Sequence, residues 1–121
     1  SDAGIGVNVY PAWSFSKGRD AIVAIVDSGV VVHPELTGRI LPGYDFVTDV
    51  NAAGDGDGRD SDPSDPGDWV SQTDLINETF DASCTVRDSS WHGTHVAGII
   101  AAAANNALGI VGIAPETAGE P

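Results

Sequence analysis

Ala21-Ile22-Val23-Ala24-Ile25-Val26-Asp27-Ser28-Gly29-Val30 is the stretch whose reading decides the fold. Six apolar residues, rich in β-branched side chains, run without interruption into one carboxylate. A strand with one wet face alternates polar and apolar residues. An unbroken apolar strand is covered on both faces, as the central strand of a parallel sheet is. In open α/β sheets, ligands bind beyond the carboxyl ends of the strands, and Asp27 stands at that end. Asp-Ser-Gly is also good turn chemistry, so Asp27 taken alone reads equally as a turn residue.

A second stretch, Ser89-Ser90-Trp91-His92-Gly93-Thr94-His95-Val96-Ala97-Gly98, gives the carboxylate a partner. The small and apolar residues from Val96 to Ala104 predict a helix buried on most faces, because small side chains let neighbouring backbones approach. Ser89 or Ser90 is the expected N-cap. His92 falls at the start of that helix, where the positive pole of the dipole favours the neutral imidazole that a general base needs. Gly93 carries no side chain, so another segment or a substrate can lie close to the ring. His92 and His95 also have the spacing of a helical metal pair. A zinc site needs three or four ligands, however, and no Glu stands between these two.

Taken together, the two stretches resemble the subtilisin-like serine proteases, the subtilases. Ile25-Val26-Asp27-Ser28-Gly29-Val30, followed by His33-Pro34-Glu35-Leu36, resembles the family's aspartate block. His92-Gly93-Thr94-His95-Val96-Ala97-Gly98 matches its histidine block, and Gly109-Ile110-Val111-Gly112-Ile113-Ala114-Pro115 resembles the segment that follows. The order of aspartate before histidine is that of the family's Asp-His-Ser triad. The resemblance implies the N-terminal portion of a doubly wound, mostly parallel α/β sheet, incomplete in these 121 residues. It implies serine-type endopeptidase activity on polypeptide substrates in the complete enzyme, with Asp27 and His92 as catalytic residues. The family's nucleophile block, Gly-Thr-Ser-Met-Ala or a near variant, does not occur here, nor does the downstream Asn of the oxyanion hole. The chain alone is therefore expected to be inactive and to need the C-terminal part of the domain as its partner. The alternative is a non-enzymatic fragment that binds calcium or associates with the rest of the fold. By the same resemblance, Ser28 is expected to bond to the Asp27 carboxylate, His33 to be structural, and Cys84 to pair with a cysteine beyond residue 121.

Residues 45–88 carry twelve of the eighteen acidic residues. They are densest in the loop 49–69, from Asp49 through Asn51-Ala52-Ala53-Gly54-Asp55-Gly56-Asp57-Gly58-Arg59-Asp60-Ser61-Asp62-Pro63-Ser64-Asp65 to Trp69. Carboxylates this close repel one another unless a cation joins them or water screens them. Hard oxygen ligands on glycine-punctuated turns suit Ca²⁺. The run from Asp55 partly resembles an EF-hand loop, but Pro66 stands where that loop has its twelfth-position Glu. A solvated acidic loop is the plainer reading. Secreted bacterial subtilases often anchor such loops with calcium, and on that basis Asp49, Asp55, Asp57, Asp60, Asp62 and Asp65 are the expected ligands of a structural Ca²⁺.

The formal charge of −13 argues against nucleic acid, since phosphate binding needs a basic surface, so no nucleic-acid partner is expected. No apolar run reaches the ~18 residues a membrane span needs. The chain opens Ser1-Asp2-Ala3-Gly4, without a basic segment or a long apolar run. This suggests a processed start and, with the family resemblance, a secreted protein. Length allows one domain at most. Val9 to Ser16 is predicted to be a short helix and residues 39–47 a second short strand.

Overall fold

The structure, a computed structural model, describes residues 6–81 and 83–117. Among them lie three α-helices, α1 (Val50–Ala53), α2 (Gln72–Ile76) and α3 (His92–Ala101), and two 3₁₀ turns, Ala12–Ser14 and Pro34–Leu36. The chain divides into two units. One consists of Ser1–Ala24, Val32–Leu41 and Val96–Pro121, the other of Ile25–Val31 and Pro42–His95.

Helix α3 is where the sequence predicts it. It buries Gly93, Ala97 and Ala101, a stripe of small residues one turn apart. The expected burial on most faces is not found, since Ile99 on another face is 41% exposed.

In the first unit, the C-terminal end of α3 meets a partner segment. A helix end leaves carbonyls without intrahelical donors. Here the N–H groups of Ile113 and Ala114 donate to the carbonyls of Ile99 and Ile100, each at 2.9 Å, and Gly112 N–H donates to Ala102 O at 3.0 Å. The indole Nε1 of Trp13 donates to Ile113 O at 2.8 Å, which ties the first 3₁₀ turn to the same segment. This approach is possible because residue 112 is glycine. A Cβ there would stand 2.6 Å from Ala102 N and from Ile100 O. Pro115 is fully buried, and its carbonyl accepts from Arg39 Nη1. His33 Nδ1 accepts from Glu35 N–H at 3.2 Å and so caps the second 3₁₀ turn, the structural role expected of it.

The second unit is held by backbone pairing at isolated points and by side-chain caps. Val30 pairs in parallel with Ser64, and Val70 in antiparallel fashion with Arg87. Asp49 caps α1, which ends at Gly54 with φ 78°. Ser71 and Asp74 form a reciprocal capping box on α2.

The predicted strands are not formed. Residues 21–26 make no ladder, and Ile22 and Val26 are 76% and 95% exposed. Residues 39–47 likewise form no strand; Asp45 N–H donates to Asp60 O at 2.9 Å. The reason is physical. A strand is defined by its neighbour, and an apolar run suited to burial on both faces acquires neither ladder nor cover until other strands flank it. Residues 9–16 form a short 3₁₀ turn at Ala12–Ser14 in place of the predicted helix, with Pro11 just before it.

Gly112→Ala is expected to lower stability by roughly 1–3 kcal/mol, because the added carbon meets backbone that cannot give way. Gly98→Ala is the control. Its Cβ would have Ile110 Cδ1 as neighbour at 4.0 Å, so the change should be neutral or stabilising. Urea unfolding midpoints of the two variants compare them directly.

Candidate active site

The aspartate and histidine blocks meet within the second unit. His92 Nδ1 lies 2.8 Å from both Oδ1 and Oδ2 of Asp27. The Asp27 side chain is 16% exposed, that of His92 64%. The hydrogen bond from His92 holds the Asp27 carboxyl below the usual carboxylate range, aided next by the Ser28 backbone N–H at 2.8 Å. An ionised carboxylate only accepts, so Nδ1 must carry the proton between them. In the neutral ring that leaves Nε2 as the acceptor, which is the tautomer a general base requires.

Three further contacts fix this pair. The Gly93 N–H donates to Ser28 Oγ at 3.2 Å. The Val31 N–H donates to Thr94 Oγ1 at 3.0 Å. The carbonyl oxygen of Gly29 occupies the place where a Cβ on Gly93 would be, and that Cβ would also stand 3.2 Å from Asp27 Oδ1. The segment that lies close to the ring, as the sequence allowed, is thus the turn that follows Asp27. Trp91, just before His92, has φ 52° in the left-handed region, a cost often met at functional sites.

The cap of α3 differs from expectation. An orphan N–H at its start is satisfied by Ser28, sixty-five residues earlier in sequence, and not by Ser89 or Ser90. Ser90 is held elsewhere. Its N–H and hydroxyl both bond to Asp68, at 2.6 and 3.1 Å, and Arg87 Nη2 lies 3.1 Å from the same carboxylate. These bonds, led by the Ser90 N–H, hold the Asp68 carboxyl below its ordinary value. The Ser28 hydroxyl donates to Asp65 Oδ2 at 3.0 Å, whereas the sequence pointed to Asp27; that carboxylate is served by the Ser28 backbone N–H at 2.8 Å, and the Ser28 side chain is the smallest of the influences that lower it. No local pattern marks Asp65 or Asp68 as neighbours of the pair, because both links span tens of residues.

Five of the six expected calcium ligands have local partners. Asp49 accepts from the N–H groups of Asn51 and Ala52. Asp55, Asp60, Asp62 and Asp65 each accept from the N–H two residues on, at 2.8–3.1 Å. This is the Asx-turn geometry that short aspartates favour in loops. Asp57 is crowded. The charges of Asp60 and Asp55, then of Asp45 and Asp62, push its carboxyl above the ordinary range. Among the described residues, no three His, Cys, Asp or Glu side chains stand together as a metal-holding group, and His92 and His95 have no third ligand for zinc. In the first unit Glu35, which the sequence reading did not single out as a ligand, is 4% exposed. Its Oε2 accepts from Asn106 Nδ2 at 2.9 Å, and its Oε1 is buried without a partner. Cys84 is a free thiol.

The chain is similar to known proteins. Residues 18–118 match the model of the subtilase family. The chain is 44% identical to an extracellular protease of Xanthomonas campestris over 90% of its own length and 18% of the relative's. It is 42% identical to an extracellular basic protease of Dichelobacter nodosus, again over 90% of its own length and 18% of the relative's. Among solved structures, a protease from Pseudoalteromonas arctica superimposes with a TM-score of 0.83 at 42% identity, covering 93% of this chain and 32% of that one. The chain therefore spans under a fifth of the length of these two curated relatives.

The Asp27 carboxyl should titrate below the ordinary aspartate range. A depressed folded-state pKa contributes stability above the unfolded value, and that stability is lost as pH falls through the folded one. Carbonyl ¹³C NMR checks this. His92→Ala should move the midpoint up towards the ordinary aspartate range, with the Ser28 N–H keeping part of the depression.

Proposed function

Because this chain belongs to the subtilase family, we propose that it serves a secreted serine-type endopeptidase by supplying Asp27 and His92 of an Asp-His-Ser triad. The observation that carries this reading is His92 Nδ1 seated on both oxygens of Asp27. The serine comes from outside these residues, since no nucleophile block occurs among them. That serine attacks the carbonyl of a polypeptide substrate. His92 Nε2 takes its proton and delivers it to the leaving amine, splitting hydrolysis into acylation and deacylation. Asp27 fixes the tautomer and stabilises the imidazolium as it forms. The names of the two extracellular relatives support secretion. The exposed apolar residues Ile22, Val26 and Val32 support the rest of the catalytic domain as this chain's partner.

Hydrolysis of a fluorogenic peptide tests the reading. The chain alone should show no turnover above its His92→Ala variant. Supplied with the serine-bearing remainder of the domain, it should hydrolyse the peptide. His92→Ala should then cost about 10⁶-fold in kcat and loss of Asp27 about 10⁴-fold, the magnitudes known for subtilisin itself. Turnover by the complemented enzyme that survives His92→Ala would sink the triad. No turnover with the remainder present would favour the non-enzymatic fragment.

Calcium is the second part of the proposal, and no step of the reaction runs through it. Two places favour a cation for different reasons. In the acidic loop, the carboxylates of Asp55, Asp60 and Asp62 repel that of Asp57. At Glu35, a buried oxygen lacks a donor beside the Asn106 carboxamide. Calcium added to the apo protein should raise its melting temperature. Glu35→Gln and Asp57→Asn identify which place is responsible, by abolishing the increment. The raised pKa of Asp57 fixes a sign as well. A group raised in the fold opposes folding once it ionises, so without calcium Asp57→Asn should be the more stable at neutral pH. That gain should vanish below pH 3.8. Melting temperatures indifferent to calcium would refute both seats.

A further inference from the structure

We infer that Asp65 is a positioning residue for His92, acting through the hydroxyl of Ser28. The inference rests on the reading of His92 as the base held by Asp27. Asp65 is 6% exposed, one of the few charged side chains withdrawn from solvent among the described residues. Both of its oxygens are engaged. Oδ1 accepts from Gly67 N–H at 2.8 Å and Oδ2 from Ser28 Oγ at 3.0 Å. Its backbone is fixed too. Asp65 N–H donates to Val30 O at 3.2 Å, and a Cβ on Gly29 would stand 3.0 Å from Asp65 Cα.

A hydroxyl has one proton and two lone pairs. The Asp65 carboxylate takes the proton of Ser28, which fixes the direction of the Oγ lone pairs, and one of them receives the Gly93 N–H at 3.2 Å. Gly93 adjoins His92 at the first turn of α3. Without Asp65, the nearest competing acceptor for the Ser28 proton is the carboxylate of Asp27, its neighbour in sequence. Rotated to donate there, the hydroxyl would bring a second donor to the carboxylate that holds His92 Nδ1 and turn its lone pairs away from the Gly93 N–H. Asp65 thus does two things at once. It keeps Asp27 available to the imidazole, and it turns Ser28 into the cap of the helix that carries the imidazole.

The plainer role is that Asp65 only anchors its own turn through Gly67. Asp65→Asn separates the two. Its carboxamide oxygen can still accept from Gly67, but its NH₂ donates to Ser28 Oγ and reverses the bond. The readouts are the His92 Nδ1 proton resonance and the Gly93 amide exchange rate, in protein labelled with ¹⁵N-histidine and ¹⁵N-glycine. Asp65→Asn and Ser28→Ala should each shift the His92 resonance and speed Gly93 exchange roughly five- to tenfold. Asp65→Asn should add nothing in the Ser28→Ala background, and Ser28→Thr, which keeps a hydroxyl, should resemble the parent. Should Asp65→Asn fail to fold, Asp65→Ser takes its place, read at the same two resonances, with the Gly67 amide exchange rate reporting the turn separately. An unchanged His92 resonance in Asp65→Asn or Ser28→Ala, or a further change on adding Asp65→Asn to Ser28→Ala, overturns the inference. A parent His92 resonance insensitive to Asp27→Asn overturns instead the dyad reading beneath it.

Discussion

The carbonyl oxygen of Gly29 fills the space that a side chain at position 93 would take. The geometry of the site depends on this close approach. It brings the turn after Asp27 against the start of α3, and the polar groups then fall into register. His92 reaches Asp27, Gly93 N–H reaches Ser28, and Val31 N–H reaches Thr94. Each neutral bond contributes only about 1 kcal/mol net. Their joint effect is to leave the imidazole one orientation, with the proton on the nitrogen that faces the carboxylate.

The acidic loop follows a different logic. Its aspartates sit mostly at i relative to an N–H at i+2, and each closes its own turn. Short acceptors of this kind stabilise a loop that has few apolar contacts to hold it. The cost is charge. Asp57 bears the sum of its neighbours' repulsion, while Asp65, drawn inside, has both oxygens bonded and joins the loop to the turn after Asp27. One short stretch thus holds solvated turn-formers beside a buried carboxylate.

Outside this site the molecule relies on small contacts. Its buried apolar residues include Leu36, Val70 and several alanines, whereas Ile22, Val26 and Val32 face solvent. What organises the first unit is backbone meeting backbone, with residues 112–114 completing the end of α3 where glycine permits. A site built on hydrogen bonds and close backbone approach can keep its geometry with little apolar burial around it.

By itself the sequence determined the helix that begins at His92, the pairing of that histidine with Asp27, a structural role for His33, and the family. These are legible because they are carried by residue type and order: a run of small residues, a carboxylate after an apolar segment, blocks in a fixed succession. Tertiary structure alone decided that Ser28 and not Ser89 or Ser90 caps α3, that the Ser28 proton goes to Asp65, and that Asp68 holds Ser90. Those partners are tens of residues apart and carry no periodic mark. It decided also that residues 21–26 lie without a ladder. An apolar run encodes its readiness for burial, but a strand exists only where another strand supplies the hydrogen bonds.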